Sequence, residues 1–214
     1  MAVLHGLIAS PPCRAALLVA KAIGVDLEMK EVNIMAGENR TPEYLELNPR
    51  HTIPTLDDDG YILTESRAIM CYLVDKYGAE DDPLYPKDAQ LRGRVLERLM
   101  FDQGCLFARL VDYYNFAWIF KGEDLDETKS PALDEAFGFL DKYLESSDWA
   151  AGDSLTIADV SLAVTVSQAE QLFGYDLEPY ANINRWFEAC KNEIVGYEEI
   201  NQEGLNVFKS FLKH

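Results

Sequence analysis

Apolar and polar positions change rhythm along this chain, and the changes outline its elements. Residues 2–8 form a short apolar run that predicts a strand. Ser10 followed by Pro11 predicts a helix start, Ala15, Leu18, Val19 and Ala22 follow at helical spacing, and Gly24 ends the helix. Alternation from Leu27 to Ile34 predicts a second strand, and a turn of helix is expected from Pro42 to Leu47. Strand, helix and strand of these lengths make a right-handed βαβ unit. Two short apolar strands then flank Asp57-Asp58-Asp59-Gly60, which predicts a hairpin turn. A helix opens at Thr64-Glu65-Ser66, with Ala68, Ile69, Tyr72 and Leu73 at helical spacing. Residues 1–77 thus read βαβ-ββα, a four-stranded mixed sheet with helices.

Residues 78–87 break every periodicity and read as an exposed linker. Beyond them no strand pattern occurs. One long helix is expected over 88–121, carrying Leu91, Val95, Leu99, Leu106 and Leu110 and bent at Gly104. Further helices are expected at 131–146, 156–172, 180–192 and 197–212, so residues 88–214 read as an all-helical domain. Thr156 and Asp159 have capping-box spacing, with Leu155 placed to staple onto Val160. That reads as a helix start and folding nucleus rather than a ligand site.

Charge narrows the partners. The net charge is −18, of which residues 1–77 carry −4 and the remainder −14. Such a surface repels nucleic acid and anionic lipid, and no apolar run is long enough to span a membrane. No secretory signal pattern opens the chain. Cys13, Cys71, Cys105 and Cys190 are unpaired in spacing and read as reduced thiols of a cytoplasmic protein. No metal is expected.

Candidate chemistry concentrates at two places. Pro54 cannot donate to a sheet ladder, so it opens or edges a strand, and Ile53-Pro54 is expected to be cis. That geometry turns the Ile53 backbone outward, free to pair with an extended peptide. The adjoining helix start attracts a carboxylate, and Glu65 supplies an acid for an amine. The segment 51–67 therefore fits a small zwitterionic peptide. His51 stands beside the turn, placed to hydrogen-bond a ligand carboxylate. Arg67 serves either a carboxylate or an ion pair across a dimer, and the residues leave both open.

The second place is Ser10-Pro11-Pro12-Cys13. It has the spacing of a Cys-x-x-Cys redox motif with serine first, so dithiol exchange is excluded. A hydroxyl at a helix start can instead donate to a thiolate. Cys13 itself reads as an apolar helix-interior residue. Phe107, Leu110, Val111, Tyr113, Tyr114, Phe116, Trp118 and Phe120 are more aromatic and apolar surface than one helix face can hide. Some are expected to line an apolar cleft near Ser10, closed by Phe208 and Phe211, that suits a greasy electrophile.

Five motifs in this order resemble the cytosolic glutathione transferases, in particular the insect delta/epsilon group. They are Ser-Pro-Pro-Cys-Arg at 10–14, Asn-Pro-Arg-His-Thr-Ile-Pro-Thr-Leu at 48–56, Glu-Ser-Arg-Ala-Ile at 65–69, Leu-Tyr-Pro-Lys at 84–87 and the capping box near 156. The resemblance spans essentially the whole chain. It implies a thioredoxin-like α/β domain at 1–77, a linker at 78–87, an all-α domain at 88–214, and a homodimer. It implies that Ser10 holds the glutathione sulfur, that His51 contacts the glycyl carboxylate and Ile53 the cysteinyl backbone, and that Glu65 and Ser66 meet the γ-glutamyl end. Thr52, Pro54 and Arg67 fall in the same matched blocks. Many relatives carry a second histidine near residue 39, where this chain has Asn39, which can hydrogen-bond a carboxylate but bears no charge. The expected site is thus Ser10 with Asn39, His51, Thr52, Ile53, Pro54, Glu65, Ser66 and Arg67, and the second-substrate residues are Leu110, Val111, Tyr114, Phe116 and Phe208. The expected activity is addition of the glutathione thiolate to hydrophobic electrophiles in detoxification. A non-catalytic carrier of hydrophobic ligands, and a glutathione-dependent isomerase or peroxidase, are the alternatives.

Overall fold

The computed structural model describes residues 2–212. The outer ends of the two expected domains, residue 1 and residues 213–214, lie outside them. Strand β1 (Val3–Gly6), helix α1 (Pro11–Ala22) and strand β2 (Glu28–Glu31) form the βαβ unit, and β1 and β2 are parallel with Val3 opposite Glu28. Helix α2 (Pro42–Leu47) follows, capped by Thr41, whose hydroxyl accepts from the Tyr44 amide. Strands β3 (Thr55–Asp58) and β4 (Tyr61–Thr64) are antiparallel and lead into helix α3 (Ser66–Tyr77). The sheet order is β2-β1-β3-β4, with Leu4 opposite Leu56 and Leu56 opposite Leu63.

The strands are shorter than the apolar runs that predict them. β2 stops at Glu31 because Asn33 starts a turn, its side chain accepting from the Ala36 amide and its carbonyl from Glu38. The hairpin turn is also narrower than expected. Asp57 and Asp58 belong to β3, and only Asp59 (φ 52°) and Gly60 (φ 88°) turn, both left-handed as a two-residue primed turn requires.

Two apolar clusters build the core. Leu4, Ala16, Ala20, Leu56, Ile69 and Leu73 fill the space between the sheet and helices α1 and α3. The other side of α1, through Ala15, Leu18 and Val19, joins a larger cluster that runs into the helical half.

That half consists of α4 (Ala89–Phe101), α5 (Phe107–Tyr113), α6 (Phe116–Lys121), α7 (Ser130–Tyr143), α8 (Ile157–Phe173), α9 (Ala181–Glu193) and α10 (Glu203–Lys209). Helix α8 is buried nearly all round and forms its axis. The capping box is present, with Asp159 accepting from the Thr156 amide (2.8 Å), the Ala150 amide (2.7 Å) and Trp186 Nε1 (2.9 Å).

The single helix expected over 88–121 is three helices. A π-helical turn, Asp102–Leu106, containing Gly104, joins α4 to α5. Asn115 then restarts the chain as α6, its Oδ1 accepting from the Ala117 and Trp118 amides. Leu91, on the helical spacing of that segment, is 50% exposed. The C-terminal helix likewise begins as a π-helical turn, Tyr197–Gln202, before α10. Residues 78–87 are turned but anchored, since Tyr85 is buried, Arg92 stacks on its ring at 3.8 Å, and the Leu84 carbonyl accepts from Ile157.

Candidate active site

Helix α1 can start where it does because Gly6 has no side chain. A Cβ there would lie 2.6 Å from Cys13 Sγ, so glycine lets the first turn of α1 close on β1. Ser10 occupies the cap position but caps nothing with its side chain. A cap hydroxyl accepts from the second or third helical amide; Pro12, the second, has none, and toward Cys13, the third, the hydroxyl meets the thiol instead. Ser10 is half-buried, and its hydroxyl approaches the Cys13 thiol. Burial pushes that thiol up to about 11, against the opposing hydrogen bonds from Ser10 and Leu7. Cys13 is therefore a neutral core thiol, as its spacing suggests.

The loop before β3 is held from outside the sheet. Tyr44 Oη donates to the Thr52 carbonyl at 2.7 Å, and Asn48 Nδ2 to the same oxygen at 2.9 Å. Asn39 Nδ2 donates to the His51 carbonyl at 2.7 Å, while its Oδ1 is buried with no partner. His51 has φ 48°, and the Ile53–Pro54 bond is cis. Among the described residues Ile53 makes no main-chain hydrogen bond, and it lines the cavity described next.

Helix α3 begins next to this loop. Glu65 precedes it at φ 69°, no side chain caps it, and the Glu65 carboxylate is ion-paired with Arg50. Arg67 is engaged within its own chain. Its Nη2 meets Asp102 Oδ2 at 2.6 Å, Nη1 meets Ser66 Oγ at 3.1 Å, and the guanidinium lies 5.3 Å from the Phe107 ring centre. The pair joins the two halves of one chain. Asp102, fully buried, also accepts from the Ser161 and Thr165 hydroxyls of α8.

These pieces surround a cavity of about 190 Å³. Of the expected residues, Thr52, Ile53, Pro54, Glu65, Ser66 and Arg67 line it, together with Pro12, Arg50, Gln103 and Phe107. The expected residues Ser10, Asn39 and His51 are not among those lining it: Ser10 lies two residues before Pro12, and Asn39 holds the loop through the His51 carbonyl. Sequence reasoning missed Arg50 and Pro12 although both sit inside quoted motifs. Phe107, one of the aromatics expected near Ser10, reaches the cavity from the helical half, as does Gln103, which left no signal in the local sequence. A larger recess, about 340 Å³, lies by Asp81, Leu91, Val95 and Ser154 and shares none of this chemistry.

Of the expected aromatic stripe Phe107 lines the smaller cavity, and most of the other rings pack on one another. Leu110 is fully buried in the core and lines no opening. Tyr114 stacks on Phe173 at 4.6 Å and meets Trp118 edge-on at 5.1 Å. Phe208 packs near Phe173 and Phe120, so it belongs to the same cluster. Val111 and Phe116 are the exposed members, at 44% and 60%. More aromatic surface is self-satisfied here than a count along one helix suggests, because Phe173 and Phe208 arrive from other helices. Among the described residues no cluster of His, Cys, Asp and Glu is placed to share a metal ion, and no helix is long and apolar enough to cross a membrane.

Comparison with known proteins agrees with this geometry. The family model for the N-terminal domain of glutathione S-transferases matches residues 3–75, and that for the C-terminal domain matches residues 93–193. The chain is 50% identical to glutathione S-transferase D7 of Anopheles gambiae, covering 99% of this chain and 98% of the relative. Among solved structures, a delta-class glutathione transferase of Nilaparvata lugens superposes with a TM-score of 0.93 at 45% identity, covering 99% of this chain and 98% of that one. A glutathione transferase homolog of Drosophila mojavensis with bound glutathione superposes with a TM-score of 0.88 at 34% identity, covering 99% and 96%. With its thioredoxin-like sheet, its helical half and the cavity between Pro12, Pro54 and α3, this chain belongs to the glutathione S-transferase family, among the insect delta and epsilon enzymes.

Proposed function

We propose that the protein joins the sulfur of reduced glutathione to hydrophobic electrophiles, with Ser10 holding that sulfur as a thiolate. The observation that carries this reading is the unpaired main chain of Ile53 beside cis-Pro54, facing the uncapped start of α3 across one cavity. An extended tripeptide pairs with Ile53 through its central residue. Its γ-glutamyl carboxylate sits on the first amides of α3 and its amine beside Glu65. Arg67 stays with Asp102 and holds Ser66 in place. The glycyl carboxylate reaches the His51 loop, whose shape Asn39 fixes through the His51 carbonyl.

The sulfur then lies toward Ser10, whose hydroxyl caps no helix amide and turns from the neutral Cys13 thiol to the charged sulfur. A free thiol has a pKa near 8.5, and lowering it by about two units takes about 2.7 kcal/mol. One hydrogen bond to a charged sulfur supplies roughly 1.5–3 kcal/mol. The thiolate attacks the electrophilic carbon, a C–S bond forms, and the leaving group departs with the electron pair. Tyr114, Phe116, Val111 and Phe208 border the second substrate once the aromatic cluster parts; detoxification of such compounds is the role this supports. Residues 1–77 bind glutathione in this reading, and residues 88–214 supply the apolar wall. Exposed Leu91, Leu96 and Met100 on α4 support pairing as a homodimer, and four free cysteines support a cytoplasmic setting.

Ser10→Ala tests the assignment. The thiol of bound glutathione, followed by thiolate absorbance against pH, is expected to titrate about two units higher, with turnover at neutral pH falling accordingly. A wild-type pH–rate profile in that variant refutes the role of Ser10.

A further inference from the structure

Arg14 is fully buried and carries a charge that nothing nearby cancels. Its Nε donates to Asn201 Oδ1 at 2.9 Å, Nη1 to the Ala9 carbonyl at 2.6 Å and Nη2 to Gln168 Oε1 at 3.1 Å. All three acceptors are neutral, and among the described residues no carboxylate pairs with it. Buried arginines ordinarily sit against an acid, because an isolated charge in a protein interior is costly. The groups that face this one are Cys13 on its own helix, Tyr197 and Asn201 on the C-terminal π-helical turn, Ser167 and Gln168 on α8, and Gly204 on α10. Of these only Cys13 and Tyr197 titrate, and burial raises both, so both are neutral at physiological pH.

The packing around Arg14 is tight. A Cβ on Gly204 would lie 2.3 Å from Arg14 Cδ and 2.4 Å from the Ile8 carbonyl, so α10 reaches the guanidinium only as glycine. The guanidinium grips the peptide that enters Ser10. Arg14 Nη1 binds the Ala9 carbonyl, the Arg14 amide binds the Ser10 carbonyl at 3.0 Å, and the Ser10 amide binds Leu7 at 2.9 Å. Ser10 is thus fixed on three sides, two of them by Arg14.

From this geometry we propose that Arg14 is a positioning residue for the reaction: its uncancelled charge, set behind Ser10 and held there by Gln168 and Asn201 of the helical half, stabilises the glutathione thiolate. The inference rests on the reading that the sulfur sits at Ser10. It adds a cation that touches neither substrate nor sulfur and acts across the Ala9–Ser10 peptide. At an effective dielectric near 20, a unit charge roughly 8–10 Å away shifts a pKa by about one unit, comparable to part of the effect asked of the hydroxyl. It also makes the thiolate depend on the second half of the chain, since both side-chain acceptors that hold Arg14 come from there.

Gln168→Glu is the test. It keeps size and the hydrogen bond to Nη2 but sets a carboxylate on the guanidinium. A purely structural Arg14 gains an ion pair, so its fold is unharmed and the thiol of bound glutathione titrates as in wild type. The proposal expects that thiol, read by thiolate absorbance against pH, to titrate about one unit higher with the melting temperature kept or raised; that shift cuts the thiolate fraction below its pKa about tenfold. Asn201→Asp repeats the test from the Nε side, and Arg14→Lys is expected to retain more of the low pKa than Arg14→Met. A wild-type titration in both carboxylate variants, with glutathione bound, overturns the proposal. Ser10→Ala separates this from the underlying reading: if Ser10→Ala titrates as wild type while Gln168→Glu shifts, the hydroxyl role falls and the Arg14 role stands.

Discussion

Replacing Asp102 by alanine is expected to cost more stability than any other single truncation near the cavity. Asp102 is completely enclosed and accepts from Arg67 Nη2 at 2.6 Å, from Ser161 Oγ, and from Thr165 Oγ1 at 2.8 Å. Asp102→Ala leaves Arg67 buried at 7% exposure, with only the Ser66 hydroxyl and the face of Phe107 for company; its Nε already lacks a partner. Removing one member of a buried pair typically costs about 3–5 kcal/mol, because the other charge is stranded. The Ser161 hydroxyl is stranded as well, while Thr165 Oγ1 keeps the Ser161 carbonyl at 3.3 Å, so the upper half of that range is expected. Against a total stability of roughly 5–15 kcal/mol, this is a large share. Urea denaturation, with the slope checked for a change in cooperativity, measures it. The sharper comparison is Arg67→Met with Asp102→Leu in one chain. No charge is then stranded, and the double variant is expected to lose less than Asp102→Ala alone. Ser66 and Arg67 line the cavity, so Asp102→Ala is also expected to raise the KM for glutathione. A stability loss below about 1 kcal/mol for Asp102→Ala, within the range of exposed ion pairs, refutes the reasoning.

The hairpin carries a pH-dependent contribution. Burial disfavours the charge on Asp58, but Lys76 at 2.6 Å and the Tyr72 and Tyr77 hydroxyls at 2.7 Å outweigh it and hold the carboxyl at about 2. A depressed carboxylate stabilises the fold above its unfolded value of 3.8 and loses that contribution as pH falls toward 2. Asp58→Asn is therefore expected to be less stable than wild type at pH 6, with the gap narrowing below pH 3.8 and closing as pH falls through about 2; a stability gap independent of pH would contradict this. Brief alkylation of the native protein with iodoacetamide, read by mass spectrometry, is expected to spare Cys13 and Cys190, which are buried with raised thiols, and to label Cys105 first. Early labelling of Cys13 would show that the start of α1 is open to solvent.

Local chemistry made much of the first half readable. The Pro42–Leu47 turn is α2, the acidic cluster ending in Gly60 placed the hairpin though two of its acids belong to β3, and Pro54 precedes β3 with a cis bond. Thr156 and Asp159 announced the start of α8 in the same way. The segment 88–121 was less readable because a π-helical turn keeps apolar residues near helical spacing while adding one residue to the turn, and because Asn115 reads equally well inside or before a helix. Long-range pairing left no mark on local pattern. Arg67 finds Asp102 across 35 positions, and Arg14 finds Gln168 and Asn201 across 154 and 187. The aromatic stripe was legible in part: Phe107 lines the cavity and Phe208 joins the cluster, while Phe173, which stacks on Tyr114, arrives from another helix and left no mark there.

The seam held by Arg67 with Asp102, and by Arg14 with Gln168 and Asn201, bears on how such proteins recombine. A chimera that takes residues 1–77 from one relative and the rest from another exchanges both seams at once. It inherits a matched set only when the donor of the helical half already carries an acid at 102 and neutral acceptors at 168 and 201. Shuffling at the linker is therefore limited less by the linker than by these five side chains, which would have to travel together.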